Sequence, residues 1–202
     1  ILAGLDAAKQ GLNVLVATGE CRLGYSAGSY ENHFGDGAAA LSLGNQQVIA
    51  EYIDSCSIAV DFHDLWRADN ERFVHSWEER FCITQGYNQF VSDSVKGVLK
   101  KTGLTPKDFS KIVLYGVTPR YQGQIAAKLG FAPAQIQDSL YNEVGNTGTA
   151  NVPMMLVGAL EEAKPGDYIL LVSYSEGSDA IVFKATDEIA GFSPGLGLKG
   201  YI

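Results

Sequence analysis

The chain has 202 residues, of which 46% are hydrophobic and 19% charged, and its formal net charge is −8. This is the composition of one globular domain or two small packed ones, long enough to bury its own core, and it excludes a chain disordered through most of its length. A pI near 4.8 without any Lys/Arg cluster argues against nucleic acid as a partner, although a local basic pocket for a phosphate-bearing ligand stays compatible with the net charge.

Taken in chain order, Ile1, Leu2, Leu5 and Ala8 fall on one helical face, and Gly11 reads as the C-cap. The chain opens inside this helix and without Met, as expected of a fragment whose upstream part is missing. Asn13 to Glu20 is a nearly all-apolar run, expected as a buried strand. Cys21 to His33 reads as a loop. Ala38 to Leu43 is expected as a second buried strand, its small residues allowing close approach. Val48 to Val60 alternates as a strand does, and 61–83 reads as irregular.

Thr84 to Thr102 is expected as a helix with an apolar stripe of Phe90, Val91, Val95, Val98 and Leu99, stopped by Gly103. Thr105 and Pro106 read as a helix start. Lys111 to Tyr115 is a strand and Pro119 to Leu129 a helix. Gly145 to Ala150 is a turn before a helix reaching about Ala163. Tyr168 to Tyr174 and Ala180 to Ala185 read as a strand pair joined by the Ser175–Asp179 loop. Helices interleaved with apolar strands predict an α/β fold with a mixed sheet covered on both faces.

Cys21, Cys56 and Cys82 are odd in number and widely spaced, so they read as free thiols of a reducing, cytoplasmic compartment. His33, His63 and His75 show no metal-binding spacing, and no metal site is expected. No apolar run approaches a membrane span and no signal peptide is visible, so no membrane partner is expected.

Five segments in order carry a resemblance: Phe34-Gly35-Asp36-Gly37-Ala38-Ala39-Ala40-Leu41, Asp61-Phe62-His63-Asp64-Leu65-Trp66-Arg67, Ala126-Ala127-Lys128-Leu129-Gly130-Phe131, Gly145-Asn146-Thr147-Gly148-Thr149-Ala150 and Tyr174-Ser175-Glu176-Gly177-Ser178-Asp179-Ala180. Together they resemble the thiolase superfamily, in its 3-hydroxy-3-methylglutaryl-CoA synthase and ketoacyl synthase III branches. The resemblance implies a layered α/β/α/β/α fold of two similar halves, with 1–46 ending the N-terminal half and 47–202 forming the C-terminal one. It implies an acyltransferase that joins acyl thioesters through a cysteine-bound acyl group, with coenzyme A or acyl-carrier thioesters as substrates and no bound cofactor. It also implies a homodimer, or a pair with a homologous chain.

The nucleophilic cysteine of the family would precede Ile1, and none of the three cysteines here matches it. The family histidine that follows the strand matched by Lys111 to Tyr115 is expected at Gly116, which carries no side chain. Asn146 survives as the catalytic candidate: its amide can donate to a carbonyl oxygen beside a helix N-terminus, or Gly145-Asn146 is only a turn and N-cap. Gly145, Thr147, Ser175, Gly177 and Ser178 are the expected acyl-site neighbours, and Arg120, with Lys128, is a candidate for coenzyme A phosphates. Asn146 is expected on the floor of the acyl pocket with its amide aimed at the substrate. Gly116 is expected on the adjoining wall, leaving the room an imidazole would fill. Glu176 reads as an added carboxylate or a polar turn, Asp64, Trp66 and Arg67 as packing near the pocket entrance, and His33 and His63 as structural. Gly116 also supports a second reading, a non-catalytic or partner-dependent subunit of the same fold.

Overall fold

The computed structural model describes all residues from Ile1 to Ile202. Helix α1 (Leu2–Lys9) leads into an antiparallel pair, β1 (Val14–Glu20) and β2 (Gly37–Leu43). Then follow β3 (Ala50–Ala59), a small hairpin of β4 (Leu65–Trp66) and β5 (His75–Ser76), and the helical turn α2 (Glu79–Phe81). Six residues of π-helix, Cys82–Tyr87, join α2 to α3 (Asn88–Thr102). The rest is β6 (Phe109–Leu114), α4 (Pro119–Lys128), α5 (Tyr141–Val144), α6 (Asn151–Glu162), β7 (Tyr168–Ser175) and β8 (Gly177–Ala185).

The main sheet runs β3-β8-β7-β6, with β6 and β7 parallel and the other pairs antiparallel. Helix α3 packs on one face, against β3, β8 and β7, and α6 packs on the other, against β6 and β7. Both faces being covered explains why Ile112, Val113 and Leu114 of β6 and Ile169 to Val172 of β7 are continuous apolar runs that are almost wholly buried. Helices α6 and α1 in turn touch the β1–β2 pair, so the layers run helix, sheet, helix, sheet. This is the mixed, layered α/β architecture expected from the sequence.

Several local expectations need correction. Strands β1 and β2 are not buried: one face alternates inward onto α1 and α6, while Leu15 on the other is 71% exposed. Within this chain nothing covers that face. Thr105–Asp108 starts no helix. The Asp108 carboxylate accepts from the Thr105 N–H and hydroxyl, both at 2.7 Å, which closes a single 3₁₀ turn that feeds β6. The Ser175–Asp179 loop is almost entirely strand, since β7 and β8 stay paired to Ser175 and Gly177 and only Glu176 turns. Gly177 makes that turn at φ +127°, and a side chain there would run into the Ile58 carbonyl of β3.

The π-helical turn has a local cause and a consequence. Gly86 lies where a Cβ would meet the Tyr174 hydroxyl at 2.5 Å and the Phe62 ring at 2.6 Å, so the bulge brings backbone close to the end of β7. Gly103 ends α3 in the left-handed conformation, φ +71°, as the sequence indicated.

Candidate active site

A cleft of about 750 Å³ opens beside the C-terminal ends of β6 and β7. The segment after β3 supplies Asp64, Trp66 and Arg67 to it, β7 and β8 supply Ser173, Tyr174, Ser175 and Asp179, and the turn before α6 supplies Gly148 and Thr149. Three of the five recognised segments therefore meet on one cavity although together they are spread over more than a hundred residues of sequence. The remaining polar lining includes Glu20, Arg22 and Tyr115.

Asn146 lies just behind this wall, 4% exposed. Its Oδ1 accepts from Arg22 Nη2 at 3.0 Å and from the Gly148 N–H at 3.0 Å. Its Nδ2 donates to the Tyr115 hydroxyl oxygen at 3.0 Å and to the Val117 carbonyl at 3.4 Å. The orientation of this amide is fixed by chemistry. Guanidinium and backbone N–H can only donate and a backbone carbonyl can only accept, so the oxygen must face Arg22 and Gly148. The backbone holds the residue as firmly: Asn146 N–H donates to the His33 carbonyl at 2.7 Å, and Gly35 N–H donates to the Asn146 carbonyl at 3.1 Å. Gly145 is required for that approach, because a Cβ there, at φ +72°, would sit 3.0 Å from the His33 oxygen.

The Asn146 amide thus reaches Tyr115 and Val117 and does not line the cleft. Nor does Gly116. A Cβ on Gly116 would meet Gln122 Cβ at 2.6 Å and the Thr118 carbonyl at 3.0 Å, so it faces α4 and leaves no room for an imidazole. The side chain that stands beside Asn146 and forms the cleft wall is the preceding residue, Tyr115. A one-residue change of register at the end of β6 turns a side chain to the opposite face, and the sequence match placed the position on the wrong one.

The other expected neighbours scatter. Ser175 lines the cleft. Ser178 is 4% exposed, but its hydroxyl faces α3, bonded to the Ser173 carbonyl at 2.8 Å and to Ser94 at 2.7 Å. Thr147 is fully buried against Gly37 and Met154. Gly177 packs on β3, and Arg120 and Lys128 lie exposed on α4, away from the cleft lining. Glu176 pairs at the surface with His63, Oε1 to Nε2 at 3.3 Å. His33 contributes only its backbone carbonyl to the site.

Arg22, Tyr115 and Tyr174 were missed. Arg22 sits in a Gly/Ser/Tyr-rich loop that gave no periodic signal, and the two tyrosines read as strand residues. Their environment is unusual. Arg22 Nε and the Tyr174 hydroxyl are buried without a hydrogen-bond partner. Burial, and then the Asp64 carboxyl beside it, push the Tyr174 phenol far above its ordinary value. Burial also raises the Asp64 carboxyl, against the opposing pull of Tyr174 and Arg22. Tyr115 is raised by burial, with Arg22 and Asn146 offsetting part of the effect. All three cysteines are free. The Cys82 thiol, which lines the cleft, is raised by burial and by Asp64, and Cys21 is raised by its contact with Asp36. Neither is poised as a thiolate. The structure brings together no cluster of three or more His, Cys, Asp or Glu that could hold a metal ion.

Comparison with known proteins gives the chain's relatives in sequence and in fold. Residues 99–184 match the sequence model of the 3-oxoacyl-[acyl-carrier-protein] synthase III C-terminal domain. The hydroxymethylglutaryl-CoA synthase of Methanopyrus kandleri is 31% identical over 156 residues, 76% of this chain and 44% of that protein. The synthase of Aeropyrum pernix is 33% identical over 162 residues, 78% of this chain and 45% of that protein. The chain therefore spans less than half the length of these curated relatives. Among solved structures, a hydroxymethylglutaryl-CoA synthase complexed with CoA superimposes with a TM-score of 0.80 at 19% identity, over 94% of this chain and 55% of that one. The 3-oxoacyl-[acyl-carrier-protein] synthase III of Aquifex aeolicus gives 0.75 at 21% identity, over 90% and 60%. By fold the chain is thiolase-like, and in sequence it is similar to hydroxymethylglutaryl-CoA synthases and to the C-terminal part of 3-oxoacyl-[acyl-carrier-protein] synthase III.

Proposed function

We propose that the protein is an acyl-CoA-dependent acyltransferase of the hydroxymethylglutaryl-CoA synthase type. It would join acyl thioesters through an enzyme-bound acyl group, with coenzyme A thioesters as substrates and no further cofactor. The observation that carries this reading is the convergence of three separate family segments on the single cleft at the ends of β6 and β7. The cleft is roomy enough for an acyl group with part of its carrier. It presents both an apolar wall and unpartnered buried donors, the combination that polarises a carbonyl in a water-poor setting. Neither Cys21 nor Cys82 has the low-pKa setting of an acyl-accepting thiolate, and Cys56 lies against Gly97 of α3, outside the cleft lining. In this reading 1–46 ends one thiolase-like half and 47–202 forms the other. The non-catalytic alternative rested on Gly116, and that residue faces α4 instead of the cleft.

Pairing with a second copy is part of the proposal. It is supported by the uncovered outer face of β1–β2, where Leu15 is 71% exposed. No helix is long and apolar enough to cross a membrane, and three unpaired cysteines suit a reducing, cytoplasmic setting. The test is release of free coenzyme A from acetyl-CoA and acetoacetyl-CoA by the full-length protein, followed with a thiol reagent, together with mass spectrometry for an acylated cysteine. Release with acyl transfer to protein supports the reading. Absence of both binding and release for these and longer acyl-CoAs refutes it.

A further inference from the structure

The hydrogen-bond inventory around Tyr115 leaves one proton unassigned. The Asn146 amide orientation is fixed by its other partners, so Nδ2 donates and the Tyr115 oxygen accepts, at 3.0 Å. Arg22 in turn holds Asn146 in place, donating from Nη2 to its Oδ1 at 3.0 Å. The Tyr115 backbone is pinned separately: its carbonyl accepts from the Tyr87 hydroxyl at 2.6 Å, and its N–H donates to the Val172 carbonyl at 2.9 Å. Its ring stacks on Tyr174, with centroids 6.3 Å apart. The hydroxyl oxygen is therefore held by the Asn146 donor, while no protein group accepts the phenolic hydrogen. The side chain is 7% exposed and lines the cleft.

We propose that the Tyr115 hydroxyl is the catalytic hydrogen-bond donor to the thioester carbonyl oxygen, with Asn146 and Arg22 as the residues that position it from behind. The inference deepens the thioester reading above and rests on it. No proton is transferred in the proposed step. The O–H bond stays intact, and its hydrogen bond strengthens as negative charge gathers on the carbonyl oxygen under nucleophilic attack. Donation from Asn146, itself held by Arg22, to the phenol oxygen polarises the O–H bond and makes it a better donor to that developing charge. The same arrangement makes the Asn146 amide unavailable to substrate. Its role is indirect, and the recognition of the carbonyl falls to a phenol. A phenol stays protonated through the neutral range, so the donor is present at every working pH, unlike an imidazole near its own pKa.

The experiment compares binding of two unreactive probes to the full-length protein. One is the amide analogue of acetyl-CoA, with nitrogen in place of the thioester sulfur, and the other is S-ethyl-CoA, which lacks the carbonyl. The wild type should bind the carbonyl-bearing probe about tenfold more tightly, as one well-placed hydrogen bond allows. Tyr115→Phe should lose that preference while binding S-ethyl-CoA as before, and turnover should fall by roughly 100-fold or more. The ring and its stacking are retained in that variant. Isotope-edited infrared spectroscopy on the unaltered protein gives a second readout: the carbonyl band of the bound amide probe should move to lower wavenumber. A retained preference in Tyr115→Phe, or an unshifted carbonyl band, overturns the assignment of Tyr115 and leaves the thioester reading standing. If neither probe binds the wild type, the thioester reading fails and the assignment falls with it.

Discussion

Replacing Asn146 separates the structural part of the site network from its chemical part. In Asn146→Ala, Arg22 Nη2 and the Gly148 N–H lose their acceptor, and the Tyr115 oxygen and Val117 carbonyl lose a donor. The residue is 4% exposed, so water cannot readily replace these partners. A charge-assisted bond contributes about 2 kcal/mol and each neutral one about 1 kcal/mol, so the three bonds at 3.0 Å, without the longer one to Val117, give a loss of about 4 kcal/mol. For a chain of this length that corresponds to a fall in Tm of roughly 8–16 °C. Asn146→Asp keeps both acceptors for Arg22 and Gly148 but offers a carboxylate to the Tyr115 hydroxyl. The phenolic hydrogen then has an acceptor inside the protein and turns away from the cleft. This variant should lose only about 1–2 kcal/mol, since one charged pair replaces one charge-assisted bond. Yet it should lose the preference for a carbonyl-bearing acyl-CoA analogue as completely as Tyr115→Phe. Scanning calorimetry and ligand titration on the same samples check the two halves. A Tm change under 3 °C in Asn146→Ala, or a full carbonyl preference in Asn146→Asp, would refute the inventory of bonds on which the reasoning stands.

The fold was readable where one physical signal acted alone. Helix α3 shows its stripe of Phe90, Val91, Val95 and Val98 and its Gly103 stop, because one face meets a sheet and the other meets water. The apolar runs of β6 and β7 identify strands covered on both sides. Strands β1 and β2 have similar apolar content but one open face, and composition cannot say which partner covers the other. The site was legible as segments and illegible as contacts. The turn at Asn146 could be placed from its Gly-Asn-Thr-Gly pattern. That its amide points at Tyr115 depends on a bridge between Phe34 and Asn146, and on Arg22 arriving from a loop 124 residues away. The error at Gly116 shows the limit plainly. In a strand a shift of one residue exchanges the two faces, and the strand pattern Lys111 to Tyr115 fixes the element without fixing which of its last two residues looks into the cleft.

Introducing histidine at Gly116 should not create thioester chemistry. The new Cβ would lie 2.6 Å from Gln122 Cβ, and pushing α4 aside should cost about 1–3 kcal/mol, read as a lower Tm with no gain in coenzyme A release. Increased turnover in Gly116→His would mean that the wall of the cleft is at 116 after all. Asp64 supplies a test through pH. Its carboxyl lies in the cleft wall, where burial raises its pKa above the ordinary aspartate value while Tyr174, the Leu65 backbone and Arg22 pull the other way. A carboxyl raised in the folded state binds its proton more tightly there than in the unfolded chain. Its contribution to stability is therefore present in acid and is lost as pH climbs from the unfolded value, near 4, through the folded one. Asp64→Asn keeps the shape, carries no ionisable group, and escapes that loss. The difference in Tm between variant and wild type should shift in favour of the variant as pH rises from about 4 and then level off once Asp64 is ionised in both states. A difference that is flat with pH, or that moves towards the wild type, would show that Arg22 and the hydrogen bonds to the Asp64 carboxylate offset or outweigh the cost of burying it, and the reading of Asp64 as a carboxyl raised by burial would fall.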